Sequence, residues 1–414
     1  MTLQKLSVVQ RFQPNDILRK AMEQFRQMTN DCVRIGIEYE QATSKTPSMK
    51  KLSMLAYGDL RKRYSCHSGF ALCAISKASG ILSARRKSIR RGVPTRTPYL
   101  SKPMLVSCYG FKIGSGNLVI HLDANTAQTI PLNSHTRTII SDSSVTVRAF
   151  TVALDSVSLC ISKDTRQLDE AEICGTIGVD RNLRILAVGN SRKVTLFDMT
   201  RIVDVAQNTR SIIKSFKRPD RRVGAQIAEK YGKRRTRRTR QLLNRVSKRI
   251  VSEARTTNSA IVFEDLRGIR KLYRKGNGQA KSFRAVMNSW PFGEFKRQVE
   301  YKAAWTGVSV ITLTKSETNG TTMDCPRCGE RLQVPLRGDA EHNRQLWCYA
   351  CERWMDRDVI AVLNISRRGR LRFDRSQAKE GEAAEAMKGN AEHEEKPLIL
   401  RVDASKLHLQ TRMQ

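Results

Sequence analysis

Three carboxylates, each in a different kind of segment, are the residues of this chain best suited to chemistry. Asp180 lies within Ile177-Gly178-Val179-Asp180, a run that continues through Arg181-Asn182-Leu183 to Ile185-Leu186-Ala187-Val188. Glu264 ends the apolar run Ala260-Ile261-Val262-Phe263, and Asp358 opens a helix-like stretch a few residues after Cys351. An acid ending a buried apolar strand needs a partner, and a divalent cation is the obvious one. Three such acids can hold two cations for in-line phosphodiester hydrolysis. Each acid also has a plainer reading. Asp180 could cap the turn at Arg181-Asn182. Glu264 and Asp265 could end a strand at the surface, and Asp356 and Asp358 could serve a helix N-terminus. The combination of two acids on strands and one at a helix start favours the cation site. Within the last pair Asp356 suits the N-cap, whereas Asp358 is spaced with Ala361, Val362 and Ile365 and so falls on the buried face. A lysine or arginine bridge among these acids would argue against a cation.

A second constellation precedes Asp358. Cys325-Pro326-Arg327-Cys328 and Cys348-Tyr349-Ala350-Cys351 are separated by nineteen residues, a spacing typical of structural zinc. Each CxxC turn presents two thiolates to one tetrahedral ion, and Gly329 follows the first pair where a tight knuckle favours positive φ. A redox CxxC is the alternative, but two pairs at this distance point to zinc. Four cysteine ligands leave no open position, so the site is expected to be structural and to brace a ribbon over residues 315–352.

The elements that must position these groups alternate in texture. Leu6 to Phe12 reads as an opening strand, and Leu18, Met22, Phe25, Thr29, Cys32, Ile35 and Tyr39 recur at helical spacing. A second helical zone spans about Leu55 to Ile89, after which Pro94, Pro98 and Pro103 break it. Short β-rich runs fill Leu105 to Lys163, so a helical insert (15–100) between strands of one β-domain (1–14 and 101–170) is the simplest account. Next come the strand of Asp180, polar-basic helices at about Ile202–Lys217 and Gly224–Ala254, the strand of Glu264, and a Lys/Gly-rich loop at Arg270–Lys281. A helix near Glu294–Trp305 and a strand Val308–Leu313 follow. Strands and helices alternating around carboxylates suggest an α/β layer over 171–314 and 353–371. Gly381 to Lys396 is rich in Glu, Ala and Gly, and 372–414 reads as a loosely ordered tail.

The charge balance names a partner class. The 414 residues carry 75 Lys and Arg against 39 Asp and Glu, a net charge of +36. Self-repulsion on this scale does nothing for folding, so a polyanion is the expected partner, and nucleic acid fits better than a membrane because no long apolar run is present. Arg234, Arg235, Arg237, Arg238 and Arg240 crowd one helical segment above the apolar stripe Leu242, Leu243, Val246 and Ile250. A solvated basic face is the plain reading; a phosphate-tracking helix is favoured because few acids offset it. Arg85 to Arg91 is a second such stretch. Ten cysteines without a small disulfide scaffold, and a start lacking the apolar core of a signal peptide, point to a reducing intracellular setting.

At the level of motifs the chain resembles the TnpB family, the insertion-sequence-encoded RNA-guided nucleases related to compact type V CRISPR effectors. The resemblance rests on Gly178-Val179-Asp180-Arg181-Asn182-Leu183, on Val262-Phe263-Glu264-Asp265-Leu266-Arg267-Gly268-Ile269, on the four cysteines, and on Asp356-Arg357-Asp358-Val359 through Asn364-Ile365. It implies a RuvC-like nuclease domain of the ribonuclease H fold with Asp180, Glu264 and Asp358 as catalytic, Mg²⁺-binding acids. It further implies an N-terminal β-barrel-like, wedge-like domain whose helical insert grips a guide RNA and the target duplex. The family usually has Asp-x-Asn-Ala-Ala after the third acid, and here Ile360 and Val362 replace the Asn and the second Ala.

The function so implied is an RNA-guided DNA endonuclease using two Mg²⁺, one structural Zn²⁺ and a guide RNA, acting on double-stranded DNA in the cytoplasm of a prokaryote at the nucleoid. The alternatives are an RNA-guided DNA-binding regulator without cleavage, and a guide-independent DNA-binding transposition factor.

Overall fold

The computed structural model describes residues 2–168, 172–216, 221–335, 344–377 and 397–407. Two units divide the chain, Thr2–Asp164 and Thr165–Gln414.

In the first unit β1 (Thr2–Arg11) leads into α1 (Asp16–Thr43), α2 (Met49–Arg63) and α3 (Ser68–Arg90). The chain then forms β2 (Leu105–Ser107), β3 (Phe111–Gly114), β4 (Asn117–His121), β5 (Ala127–Pro131), α4 (Ser134–Ile140), β6 (Val145–Val152) and β7 (Ser156–Thr165). One sheet has the order β1-β7-β6-β2 and a second the order β3-β4-β5, so the three long helices are inserted between strands of a single sheet. Asn15 caps α1 by accepting from Leu18 N at 3.0 Å, and the stripe Leu18, Met22, Phe25, Thr29, Cys32 is buried. The single helical zone expected over 55–89 is two helices. The chain turns at Tyr64–His67, where the Tyr64 hydroxyl donates to Asp31 and the His67 imidazole caps α3.

The second unit holds the carboxylates. β8 (Gly175–Arg181), β9 (Ile185–Gly189) and β10 (Lys193–Asp198) form an antiparallel meander. Then come α5 (Thr200–Ser215), α6 (Arg221–Thr256), β11 (Ser259–Phe263), a 3₁₀ turn at Ile269–Tyr273, α7 (Lys281–Ser289), α8 (Phe292–Thr306), β12 (Val310–Thr312) and α9 (Lys315–Thr318). The hairpin β13 (Gln345–Cys348) and β14 (Arg353–Asp356) precedes α10 (Arg357–Gln377), and β15 (Leu398–Asp403) closes the unit. The sheet order is β12-β11-β8-β9-β10-β15, with β11 parallel to both β8 and β12.

Alternation along the strands assigns the two faces. Ile177 and Val179 of β8, with Ile261 and Phe263 of β11, enter the larger core beneath α6 and α8, beside Leu243, Val246, Ile250, Phe295 and Val299. The alternate positions meet α10: Thr176 exchanges hydrogen bonds with Ser366, and Val262 packs on Ile365. Gly178 permits that approach, since a Cβ there would lie 2.3 Å from the Val362 carbonyl oxygen.

Two strands were not anticipated. Lys193–Asp198 is buried along Val194 to Phe197, which hides its alternation. Leu398–Asp403, within the span expected to be a loose tail, pairs in parallel with β10. The segment Gly381–Lys396 lies outside the described residues. No described helix is long and apolar enough to cross a membrane.

Candidate functional site

The same alternation that places Gly178 under α10 places Asp180 there, two residues further along β8. Phe263 is registered opposite Val179, so Glu264 leaves β11 beside Asp180. Asp358 occupies the first turn of α10, the helix lying on that face. Its start is fixed by Asp356, whose Oδ1 accepts from Asp358 N at 2.8 Å and Val359 N at 3.2 Å. Asp180 and Asp358 are only 5% and 2% exposed, so neither can be left to water.

The Asn182 amide joins two of these acids, with Nδ2 at 2.6 Å from Asp180 Oδ2 and 2.9 Å from Asp358 Oδ1. Arg181 attends Glu264: its backbone N–H donates to Oε1 at 3.2 Å, and Nε stands 3.5 Å from the same oxygen. The Arg181 guanidinium is otherwise engaged by the Glu264 and Phe292 carbonyls and lies over the Phe263 ring. Arg344 reaches Asp358 Oδ2 at 2.5 Å. Two arginines therefore touch the cluster, each on one acid, and the group that spans two acids is a neutral amide.

Burial raises the pKa of all three acids. For Asp180 the charges of Glu264 and Asp358 add to burial and push it well up, and for Glu264 burial outweighs the favourable Arg181. Asp358 is raised by burial, against the pull of Arg344. Carboxylates that burial and mutual repulsion make reluctant to ionise are suited to a cation, which reverses both effects. Among the described residues the three acids do not form a group with all ligand oxygens within 4.8 Å; only the four cysteines meet that limit.

The cysteine sulfurs fit one tetrahedral zinc. Cys325 Sγ is 3.8 Å from Cys351 Sγ, and Cys328 Sγ is 3.4 Å from Cys348 Sγ. Four sulfurs about 2.3 Å from a central ion stand about 3.8 Å apart. Gly329 takes φ +79°, and Glu352, at the matching place in the second knuckle, takes φ +47°. α10 is wedged between this ribbon and the sheet. Ile360 packs with Cys325, Leu332, Leu346 and Cys348, while Val359 and Val362 pack on Ala187, Val194 and Leu196. Asn364 Nδ2 donates to the Thr321 and Asp324 carbonyls just before the first knuckle. The two departures from the family pattern, Ile360 and Val362, are thus core residues on opposite sides of one helix.

The basic residues singled out in sequence lie around the middle of α6, where Arg234, Arg237, Arg238 and Arg240 are exposed and Arg235 is half-buried. Arg240 pairs with Glu294 at 3.4 Å; no described carboxylate pairs with Arg234, Arg235, Arg237 or Arg238. Asn182 and Arg344 were not foreseen. Asn182 sits two residues beyond Asp180, where continued alternation could have flagged it. Arg344 lies between the cysteine pairs with no pattern around it.

Known proteins resemble these features. Residues 292–365, from α8 through the ribbon into the first turns of α10, match the domain family described as Cas12f1-like, TNB domain. The TnpB-like protein MJ0751 of Methanocaldococcus jannaschii is 36% identical over 139 residues, 34% of this chain. These matches make the chain similar to TnpB-like and Cas12f1-like proteins. The match covers 46% of MJ0751, so the chain spans about half the length of that curated relative. A cryo-EM structure of a Cas12f1–sgRNA–target DNA complex aligns at a TM-score of 0.53 over 84% of this chain and 82% of Cas12f1, with 14% identity. The chain thus shares the mixed α/β fold of Cas12f1.

Proposed function

We propose that this chain is an RNA-guided DNA endonuclease that cuts with a RuvC-like site built from Asp180, Glu264 and Asp358. The carrying observation is the register of β8 and β11, which delivers Asp180 and Glu264 side by side under the helix that opens with Asp358. The order β10-β9-β8-β11-β12, an antiparallel meander followed by two parallel strands, supports assigning 171–314 and 353–371 to a ribonuclease H fold. β15 adds a strand at its edge.

The three acids would hold two Mg²⁺, which when bound activate water and stabilise the leaving 3′ oxygen. The protein's own part is to keep these acids dry, paired and aligned: β8 and β11 fix two of them, and the Asp356 cap fixes the third. Residues 315–352 would form a structural zinc ribbon that holds α10 against the sheet through Ile360. The β-rich segments 1–14 and 101–170, with the helical insert 15–100, would grip guide RNA and target duplex. Arg234, Arg235, Arg237, Arg238 and Arg240 would track phosphates, a contact that reads backbone and leaves sequence choice to base pairing. The solved relative is a complex with sgRNA and target DNA, which supports both partners. Such work belongs in the cytoplasm of a prokaryote, at its DNA.

A second reading, an RNA-guided binder without cleavage, is favoured by one observation: Arg344 already sits on Asp358. One experiment separates them. RNA co-purifying with the protein is sequenced, and a plasmid matched to that RNA is incubated with the complex in Mg²⁺ or in EDTA. Cleavage in Mg²⁺ alone, lost in Asp358→Ala with DNA binding kept, is the expected result. Binding without cleavage gives the second reading, and the absence of any specific RNA leaves a guide-independent DNA-binding factor.

A further inference from the structure

Asn182 carries no charge, yet it is the residue at this site that touches two of the three acids. It follows β8 in the tight turn to β9, and the turn fixes it: its backbone N–H donates to the Ile185 carbonyl at 3.1 Å, and the Trp290 indole N–H donates to the neighbouring Leu183 carbonyl at 2.9 Å. From that anchored position one amide nitrogen reaches Asp180 Oδ2 at 2.6 Å and Asp358 Oδ1 at 2.9 Å. An amide nitrogen carries two hydrogens, so the two carboxylates use its whole donor capacity.

We propose that Asn182 is a positioning residue for cation capture, holding Asp180 and Asp358 at the separation a divalent ion needs. The inference rests on the reading of these acids as cation ligands. Two buried carboxylates of like charge repel, and neither Arg181 nor Arg344, whose charges offset part of that repulsion, bonds to both of them. The shared donor does. Its two bond lengths keep the bridged oxygens no more than about 5.5 Å apart. Oxygens 2.0–2.1 Å from one octahedral Mg²⁺ stand roughly 3–4 Å apart, so an arriving ion has to draw them in by only an ångström or two. Without the tether the acids relax apart, and the ion must bring them back against their repulsion. Hydrogen-bonding partners one step removed from a metal typically change its affinity by roughly 10- to 100-fold when removed.

The test uses full-length, zinc-loaded protein with its co-purified RNA, and follows Mg²⁺ binding as a thermal shift. Wild type, Asn182→Ala, Asn182→Ser and Asp180→Asn are titrated with MgCl₂ after dialysis into Mg²⁺-free buffer without chelator. The expected result is a half-saturating Mg²⁺ concentration about 10-fold or more higher in N182A, and an intermediate value in N182S, which keeps one donor. Zinc content stays at one per chain, and plasmid cleavage by N182A recovers towards wild type at saturating Mg²⁺, which a general structural defect would not allow. Wild-type half-saturation in both Asn182 variants overturns the proposal; if N182A does not fold, N182S alone decides. A wild type without any Mg²⁺-dependent shift, or a shift that survives D180N, overturns the reading of the acids and this inference with it.

Discussion

Arg344 Nη2 lies 2.5 Å from Asp358 Oδ2, so a residue of the cysteine ribbon touches the third carboxylate of the sheet site. The arginine is fixed at its backbone, where its carbonyl accepts from Arg357 N at 3.0 Å, yet its side chain is 57% exposed. An exposed partner on a buried acid can be displaced. It competes with a cation for Asp358, and water around its exposed guanidinium screens the pair to about 1 kcal/mol. Arg344→Ala should therefore lower the half-saturating Mg²⁺ concentration in thermal-shift titrations by up to about fivefold. An unchanged or higher value would show that Arg344 assists the cation instead of competing with it.

The pH dependence follows from burial. Asp180, Glu264 and Asp358 all have pKa values raised in the fold. An acid of raised pKa holds its proton in the folded state after the unfolded chain has lost it. Its contribution to stability is full below the unfolded value and is lost as pH rises through the folded one. Metal-free protein should thus lose melting temperature as pH climbs above the ordinary carboxylate range. The loss should be smaller in Asp180→Asn, and Mg²⁺ should restore more stability at higher pH. Parallel melting curves for wild type and D180N in EDTA would contradict this.

How much of this was legible in the residues depends on which forces set each feature. The pairing of Asp180 with Glu264 could be read because each follows an apolar strand and alternation has only two faces to choose between. The tilt of α10 could not. Ile360 and Val362 look like losses of a family motif until the helix is seen wedged between ribbon and sheet, each residue filling one interface. Asn182 and Arg344 act across chain separations of 176 and 14 residues, and nothing local marks such contacts. β15 was missed because Leu398, Ile399 and Leu400 stay exposed at a sheet edge, so the strand is specified by pairing with β10 more than by burial.

That wedge makes a prediction of its own. Ile360 is fully buried against Cys325, Leu332, Leu346 and Cys348. Ile360→Asn restores the family's residue type but places an amide among apolar and sulfur groups. It should cost about 2–5 kcal/mol in urea unfolding, the sum of lost packing and an unsatisfied polar group. A cost below about 1 kcal/mol would mean that α10 does not pack as described.

Zinc removal should propagate along the same route. Cys325 and Cys348 line the pocket that Ile360 fills, so loss of a zinc held there would loosen the ribbon, free Arg344 and weaken the hold on the first turn of α10. Cys328→Ser, or chelation under mild heating, should lower the melting temperature and suppress Mg²⁺-dependent cleavage while guide RNA remains bound. Retention of full cleavage by zinc-free protein, checked by metal analysis, would disconnect the ribbon from the site.

Away from both centres, Lys302 on α8 is lodged against α6 with no acid beside it. Its Nζ donates to the Asn244 carbonyl at 2.9 Å and to Ser247 Oγ at 2.5 Å. Burial, with repulsion from Lys248 and Arg297, pushes its pKa down to about 7. The unfolded lysine keeps its proton to about 10.5, so between these values the unfolded chain binds more protons and stability rises with pH. Lys302→Met removes the cation and keeps the aliphatic stem. It should stabilise the protein at neutral pH by about 1–3 kcal/mol and flatten the rise between pH 7 and 10. The two serine and carbonyl acceptors limit the gain but retain helix partners, since Ser247 Oγ donates to the Leu243 carbonyl at 2.7 Å. A wild-type pH slope in K302M would place the titrating group elsewhere.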